Sequence, residues 1–244
     1  MLKKALLILL ISGPILGIFK VDLSQTWNNQ QERAVGIAPE ATECPEALVH
    51  IYQVKEPKWK GAFSVRTWIA TKAKYARSYT VYGINPEVEG KGRVLIERKA
   101  PDETFFGQSP TLIYELRGKA AEKAVDKIDR LARHYPYAME YESWFGPNQN
   151  TFVAHIVRSV DEIEFAMPSN AIGKDYLTFN RLYDRTPTKT GYQMSYKGLF
   201  GIMLSRKEGL EINVGGFVVG VNPSEQQIKL PAFGAIGLSD IKLK

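Results

Sequence analysis

The sequence predicts an α+β fold: an antiparallel β-meander, then central helices, then glycine-rich C-terminal β-hairpins. Four β-rich runs lie between residues 47 and 97, and an amphipathic segment follows at residues 121–132. From residue 194 onward, apolar residues alternate with polar or small ones. With 244 residues, 44% of them apolar, the chain is long enough for one domain with a substantial core and an appendage.

The N-terminus predicts a single membrane segment. Lys3 and Lys4 precede an apolar run at residues 5–19, which is typical of a secretory signal or a short signal-anchor. No A-x-A cleavage site and no cysteine for lipid attachment follow, and this favours an uncleaved anchor over a cleaved signal. We therefore expect a signal-anchor or signal peptide at residues 1–20, a polar tether at residues 21–44 and a single α+β domain at residues 45–244. The two lysines would stay in the cytoplasm and the domain would be exported.

The meander is predicted from the runs at residues 47–54, 63–71, 79–84 and 93–97. In the second run Val65, Thr67 and Ile69 share one face, while Arg66 and Trp68 lie on the other. Turn residues rich in lysine and glycine separate the third and fourth runs. Four such strands in succession favour antiparallel pairing.

Three helices are predicted after the meander. The first spans residues 109–118, with a capping serine, a proline at the first helical position and a closing glycine. The second, at residues 121–132, has an apolar stripe opposite a charged one and ends before a Tyr-Pro-Tyr sequence. Asn150 is expected to cap the third helix, whose apolar face falls within residues 152–157.

The last third of the chain is predicted to return to β-structure. Apolar residues at 194–204, 210–214 and 217–221 alternate with polar or small residues, and turn sequences at 207–209 and 222–224 separate them. The many glycines in this part indicate bulges or close packing of the sheet.

Composition excludes several kinds of site. A net charge of +6 and a pI of about 9.2 favour anionic partners such as lipid headgroups, although a basic solvated surface explains the charge as well. No Lys/Arg run interleaved with aromatic residues predicts a nucleic-acid surface. The single cysteine, Cys44, excludes an intramolecular disulfide and a cysteine-rich metal site. The spacing of His50, His134 and His155 fits no metal site, so neither a metal nor a cofactor is predicted.

No complete catalytic set is visible in the sequence. The Gly-Lys pair within residues 171–175 lacks the upstream glycine and the following Ser/Thr of a phosphate loop. Lys174 and Asp175 are instead expected to form a local turn or an ion pair. Asp102 and Glu103 are adjacent in a predicted loop, where we expect solvated carboxylates rather than an acid–base pair.

A Gly-Pro turn at residues 146–147 leads into three amide side chains, Asn148, Gln149 and Asn150, at a predicted helix N-terminus. Free backbone N–H groups at such a position attract anions or carbonyl oxygens. A plain capped turn is the simpler explanation, and the neighbouring Trp144 favours a binding site.

Several blocks of the sequence are similar to a bacterial family. They are GAFSVRTWIATK at residues 61–72, GPNQNTFVAHIVR at 146–158, AIGKDY at 171–176 and the glycine-rich end. From residue 45 to residue 240, the chain resembles the Domain of Unknown Function 3750 family. This resemblance implies a bacterial protein but no particular activity. In a bacterium, the predicted anchor would lie in the inner membrane and the domain on the periplasmic side.

The order of elements also resembles circularly permuted papain-like hydrolases and acyltransferases. In those proteins a cysteine thiolate lies at a helix N-terminus, and a histidine on a facing strand activates it. The resemblance places Gln149 at the cysteine position and Arg66 at the histidine position. Glutamine cannot attack a carbonyl as a thiolate does, and arginine cannot act as a base near neutral pH. The resemblance therefore implies a fold that has a pocket but no thiol chemistry.

These observations predict non-catalytic binding of a polar ligand, a lipid headgroup or an envelope protein. No catalytic residue is assigned. The predicted ligand site consists of Arg66, Trp68, Trp144, Asn148, Gln149, Asn150 and His155. The predicted partners are the membrane, through the N-terminal helix, and an anionic lipid or an envelope protein. Two alternatives remain open: a hydrolase or acyltransferase of envelope substrates, and a structural assembly partner that uses the glycine-rich β end as its interface.

Overall fold

The structure is a computed structural model that describes residues 32–88 and 90–237. The predicted signal-anchor therefore lies outside the described residues. Within the described part, no helix is both long enough and apolar enough to cross a membrane.

The first sheet is an antiparallel five-stranded sheet with the order β4-β3-β2-β1-β5. Its strands are β1 (Leu48–Lys55), β2 (Val65–Lys72), β3 (Thr80–Val88), β4 (Lys91–Arg98) and β5 (Thr111–Arg117). The four predicted strands of the meander are thus confirmed, and β5 adds to the edge beside β1.

The prediction of a helix at residues 109–118 is wrong, because this segment forms β5. The alternating apolar residues of its TLIYELR sequence pair with β1, and this pairing outweighs the capping signals. Gly118, expected to end a helix, begins the next one at a positive φ of 63°.

Two helices cover the first sheet. Helix α1 (Gly118–Arg133) contacts β1 and β5, and helix α2 (Gln149–Ser159) contacts β2 and β3. The amphipathic pattern of α1 is confirmed, since Ala121, Ala124 and Ile128 are buried. The core lies between the helices and the sheet, and its buried members include Val49, Ile51, Ile69, Ile84, Phe152 and Ile156.

The second sheet is a seven-stranded antiparallel meander in the order β12 to β6, which confirms the predicted C-terminal hairpins. A short 3₁₀ turn at Thr178–Asn180 precedes it, and another at Lys58–Ala62 precedes β2. Its strands are β6 (Tyr183–Arg185), β7 (Gly191–Tyr196), β8 (Phe200–Ser205), β9 (Gly209–Val214), β10 (Phe217–Asn222), β11 (Gln227–Leu230) and β12 (Gly234–Gly237).

The two faces of the second sheet differ in polarity. The inner face buries polar side chains, including the Glu211 carboxylate, which pairs with Lys174 and Lys229. The opposite side, called here the outer face, is apolar and faces solvent. It comprises Tyr183, Tyr192, Met194, Tyr196, Phe200, Ile202, Leu204, Leu210, Ile212, Val214, Phe217, Val219, Val221, Ile228, Leu230 and Ile236. Phe217 differs from the others because its ring packs on Phe63 and Trp144.

Two smaller expectations can be compared with the structure. The expected ion pair between Lys174 and Asp175 is confirmed, with a Nζ–Oδ1 distance of 3.0 Å. Asp102 is not a solvated carboxylate, because it is buried and accepts hydrogen bonds from the backbone N–H groups of Ile37 and Ala38 at 2.5 and 3.2 Å. These bonds connect the chain before β1 to the first sheet.

Candidate functional site

The N-terminus of α2 is connected to its surroundings by buried amide side chains. Asn148, not Asn150 as predicted, caps the helix: its Oδ1 accepts hydrogen bonds from the backbone N–H groups of Asn150 and Thr151 at 3.0 and 3.1 Å. The Thr151 hydroxyl completes a capping box by accepting from the Asn148 N–H at 3.1 Å. The backbone N–H groups of Asn150, Thr151 and Phe152 are therefore occupied within the chain.

Asn150 connects α2 to strand β2 and to the loop before the second sheet. Its Oδ1 accepts hydrogen bonds from the Thr67 backbone N–H at 3.0 Å and the Thr67 hydroxyl at 2.9 Å. Its Nδ2 donates to the carbonyl oxygens of Val65 and Ile172 at 2.8 and 2.9 Å. All four bonds are buried, so this side chain positions α2 and leaves little for a ligand to contact.

Gln149 points in the other direction, to the backbone of β2 and β3. Its Oε1 accepts a hydrogen bond from the Ile84 N–H at 2.5 Å, and its Nε2 donates to the Thr67 carbonyl at 2.7 Å. Gly83 makes this approach possible, because a Cβ at that position would lie 2.9 Å from Gln149 Oε1.

Arg66 lies beside Gln149 and is only 8% exposed. Its Nη2 donates to the Ile84 carbonyl at 3.1 Å and to Oδ1 of Asn85, and its Nη1 lies 3.5 Å from the Tyr141 hydroxyl. The guanidinium carbon lies 5.1 Å from the centroid of the Phe105 ring. Among the described residues, no carboxylate lies within salt-bridge distance of Arg66. Burying a cation without a counter-charge is costly, so Arg66 is the unusual residue of this region.

Two adjoining spaces meet at Arg66. An inner cavity of about 100 Å³ is lined by Trp68, Gly83, Leu95, Pro101 and Gln149, among others. An outer groove of about 650 Å³ is lined by Trp59, Lys58, Lys60 and Tyr141, among others. Arg66, Asn85 and Phe105 line both spaces. We call the two together the Arg66 cleft.

The charges in the Arg66 cleft are unevenly paired. In the inner cavity, Lys99 pairs with the carboxylates of Glu32, Glu97 and Glu103 at 3.3, 3.8 and 3.0 Å, respectively. The inner cavity is thus lined by two cationic side chains, Arg66 and Lys99, and by these three carboxylates. The outer groove has three cationic side chains, Lys58, Lys60 and Arg66, and two carboxylates, Glu56 and Glu142.

Of the predicted site residues, the structure brings Arg66, Trp68 and Gln149 together in one cleft. The Trp68 indole is partly buried, donates to the Pro101 carbonyl at 2.8 Å and stacks on Tyr52. Trp144 does not line the cleft but adjoins it: its ring stacks on Trp59 of the outer groove at 5.4 Å, and its indole N–H donates to the Gly215 carbonyl at 3.1 Å.

His155 lies further along α2, away from the cleft. Its ring contacts Tyr135 and Phe179, and Nδ1 is 3.3 Å from the Thr178 hydroxyl. Burial, assisted by the nearby Arg158 guanidinium, lowers the pKa of His155 to about 4, so the ring is neutral near pH 7.

In the part of the chain that the structure describes, no hydrogen bond joins His50 to Cys44. The ring of His50 contacts the Tyr52 hydroxyl at 2.9 Å and the Glu115 carboxylate at 3.0 Å. Cys44 is partly buried beside Ala41, Leu48 and Tyr79. The described part of the chain contains no cluster of His, Cys, Asp and Glu that could hold a metal ion.

Residues 46–176 match the model of a family described as "Protein of unknown function (DUF3750)". Because the match covers more than half of the chain, the protein belongs to this family, as the sequence blocks predicted. The matched region contains the first sheet, both helices and the Arg66 cleft apart from Glu32, and it ends before the second sheet. No curated protein and no solved structure matches the chain significantly. The papain-like resemblance is therefore not confirmed and stays a prediction, although Arg66 and Gln149 do lie side by side.

Sequence reasoning did not find Phe105, Asn85 and Tyr141, which complete the cleft. They come from a loop, the end of β3 and the segment before α2, and no local pattern connects these three places. The position of Gly83 within a predicted strand could have indicated its contact with Gln149, because a glycine inside a strand often marks close approach of another group.

Proposed function

We propose that the protein is a membrane-anchored exported domain whose Arg66 cleft binds a small polar ligand through an anionic group, without covalent chemistry. In this proposal the anchor lies in the bacterial inner membrane and the cleft faces the periplasm. The ligand is a lipid headgroup or another small envelope molecule that carries a phosphate or a carboxylate.

The single observation that supports this proposal is the buried Arg66 guanidinium without a carboxylate partner among the described residues. Its partners are neutral oxygens and the Phe105 ring. A ligand phosphate or carboxylate would supply the missing counter-charge, and Arg suits such groups because its planar fork of N–H donors matches two oxygens.

The surroundings of Arg66 favour a ligand with both polar and apolar parts. Trp68, Leu95 and Phe105 supply apolar surface, and Asn85 supplies a polar group at the same place. An inner space of about 100 Å³ admits a small group and not a polypeptide segment, so the larger part of the ligand would lie in the outer groove.

Isothermal titration calorimetry with glycerol 3-phosphate, phosphoethanolamine and an alanyl-alanine dipeptide tests the proposal. We expect saturable heat from at least one probe, and we expect Arg66→Gln to abolish it. Arg77→Gln is the matched control, because Arg77 is exposed in the β2–β3 turn and has no ion-pair partner in the described chain. Heat from none of the three probes, or unchanged binding by Arg66→Gln, would contradict the proposal.

The hydrolase alternative has one observation in its favour, the approach of His155 to the Thr178 hydroxyl. Both side chains are buried, and aromatic rings surround the histidine, so a substrate would have to displace them. A fluorophosphonate probe distinguishes the two functions. Labelling that is lost in Thr178→Ala would favour the enzyme, and absence of labelling would favour binding alone.

A further inference from the structure

The second sheet exposes an apolar surface that the Arg66 cleft does not explain. On β7 and β8 the side chains of Tyr192, Met194, Tyr196, Phe200, Ile202 and Leu204 are between 47% and 66% exposed. They lie opposite one another in register, as in the pairs Tyr192–Leu204 and Met194–Ile202. The surface continues through half-buried Leu210 and Ile212 on β9 to exposed Val221 and Ile228 on β10 and β11. A contiguous exposed surface of this kind marks an interaction site.

This apolar surface is not the side of the sheet that packs on the protein body, because that side is polar. Glu211 accepts a hydrogen bond from Lys174 at 2.6 Å and pairs with Lys229, and Asn213 donates to Asp175 at 3.2 Å. The alternation of the strands therefore places apolar residues on the side away from the protein body. If the outer face were buried instead, the ion-pair network of the inner face would be exposed to solvent.

The turns at the ends of the strands carry cations with no ion-pair partner in the described chain. Arg185 ends β6, Lys197 follows β7 and Arg206 follows β8, and all three are exposed. Within these turns the one exposed carboxylate in the described chain is Glu225, after β10. The outer face thus combines apolar and aromatic side chains with a mainly cationic margin.

We infer that the outer face docks onto an anionic lipid surface. Apolar side chains would enter the boundary between headgroups and acyl chains, tyrosines would lie at the level of the headgroups, and the three cations would contact lipid phosphates. A second copy of the chain is a poorer occupant, because two faces stacked about a two-fold axis would bring cationic margins close together. The inference does not depend on the Arg66 cleft, since the two surfaces share no residue.

Site-specific fluorescence on the full chain in lipid vesicles tests the inference independently of any N-terminal anchor. In a Cys44→Ala background, an environment-sensitive fluorophore is attached at Leu204→Cys on the outer face or at Tyr75→Cys. Tyr75 is the control because it is an exposed apolar residue in the β2–β3 turn. Both proteins are placed in phosphatidylcholine vesicles with and without phosphatidylglycerol, and each vesicle type is also prepared with a nitroxide-labelled lipid as quencher.

We expect the fluorophore at position 204 to shift to the blue and to lose intensity with the nitroxide lipid, while the fluorophore at position 75 does neither. Phosphatidylglycerol should increase the quenching at 204, and Arg185→Gln combined with Lys197→Gln should reduce this increase. Equal quenching at positions 204 and 75 would overturn the inference. A blue shift at 204 that needs no lipid and grows with protein concentration would also overturn it, since a second copy would then cover the face.

Discussion

Replacement of Asn150 by alanine removes the side chain that connects α2, β2 and the loop at Ile172. Four buried hydrogen bonds are lost: two from Thr67 to Oδ1, and two from Nδ2 to Val65 and Ile172. At about 0.5–1.5 kcal/mol for each bond, the free energy of unfolding should fall by roughly 2–6 kcal/mol. This is a large share of a typical total of about 5–15 kcal/mol.

Urea unfolding followed by circular dichroism measures this loss as a lower midpoint with an unchanged slope. Asp126→Ala is the control, because Asp126 is exposed on α1 and its replacement should change the free energy by no more than about 0.5 kcal/mol. Asn150→Asp should also be destabilising, since it keeps the acceptor for Thr67 but loses both donated bonds and buries a charge. If Asn150→Ala costs no more than the control, then the amide bonds do not position α2, and the reasoning is refuted.

Three further predictions concern other parts of the molecule. The pKa of His155 is about 4 in the folded chain and ordinarily 6.5. Between these pH values the unfolded chain binds a proton at His155 that the folded chain does not. The free energy of unfolding should therefore fall by up to about 3 kcal/mol as the pH drops from 6.5 to 4. His155→Gln should flatten this part of a thermal-unfolding pH profile, and an unchanged profile would refute the assignment. Glu211→Gln leaves Lys174 and Lys229 without their shared carboxylate and should cost about 3–5 kcal/mol in urea unfolding, whereas a neutral effect would show that the buried charges are solvated. Gly83→Ala should displace Gln149 and cost about 1–3 kcal/mol, and retention of the wild-type midpoint would mean that the Gln149 contact adjusts freely.

The first sheet and α1 could be predicted from the sequence because each has a clear local pattern. Strand β2 is rich in β-branched residues, and α1 carries one apolar stripe. Strand β5 could not be recognised in the same way, since Ser109, Pro110 and Gly118 are equally good helix signals and only the pairing with β1 decides between helix and strand. The pattern of the second sheet predicted β-structure at β7 to β10 but not at β6, β11 and β12, and alternation alone does not say which face is buried. Only the buried ion pairs of Glu211 identify the polar side as the inner one.

The candidate site was predictable in part. The sequence pointed to the start of α2, and Arg66, Trp68 and Gln149 do line one cleft. It could not show that Asn148 Nδ2 and the whole Asn150 amide form hydrogen bonds within the chain, because their partners at Val65, Thr67 and Ile172 are distant in sequence. Their replacement therefore tests stability, and replacement of Arg66 tests binding.

The most direct test of the central claim observes the Arg66 guanidinium itself. In a nitrogen-15 NMR titration with glycerol 3-phosphate, phosphoethanolamine or the alanyl-alanine dipeptide, the Nε–H resonance of Arg66 should shift and saturate with the ligand that gives heat in calorimetry. The Nε–H resonance of Arg77 should stay in place. If a probe binds while the Arg66 resonance does not move, the ligand lies elsewhere. This result would contradict the proposal that Arg66 binds the anionic group of the ligand.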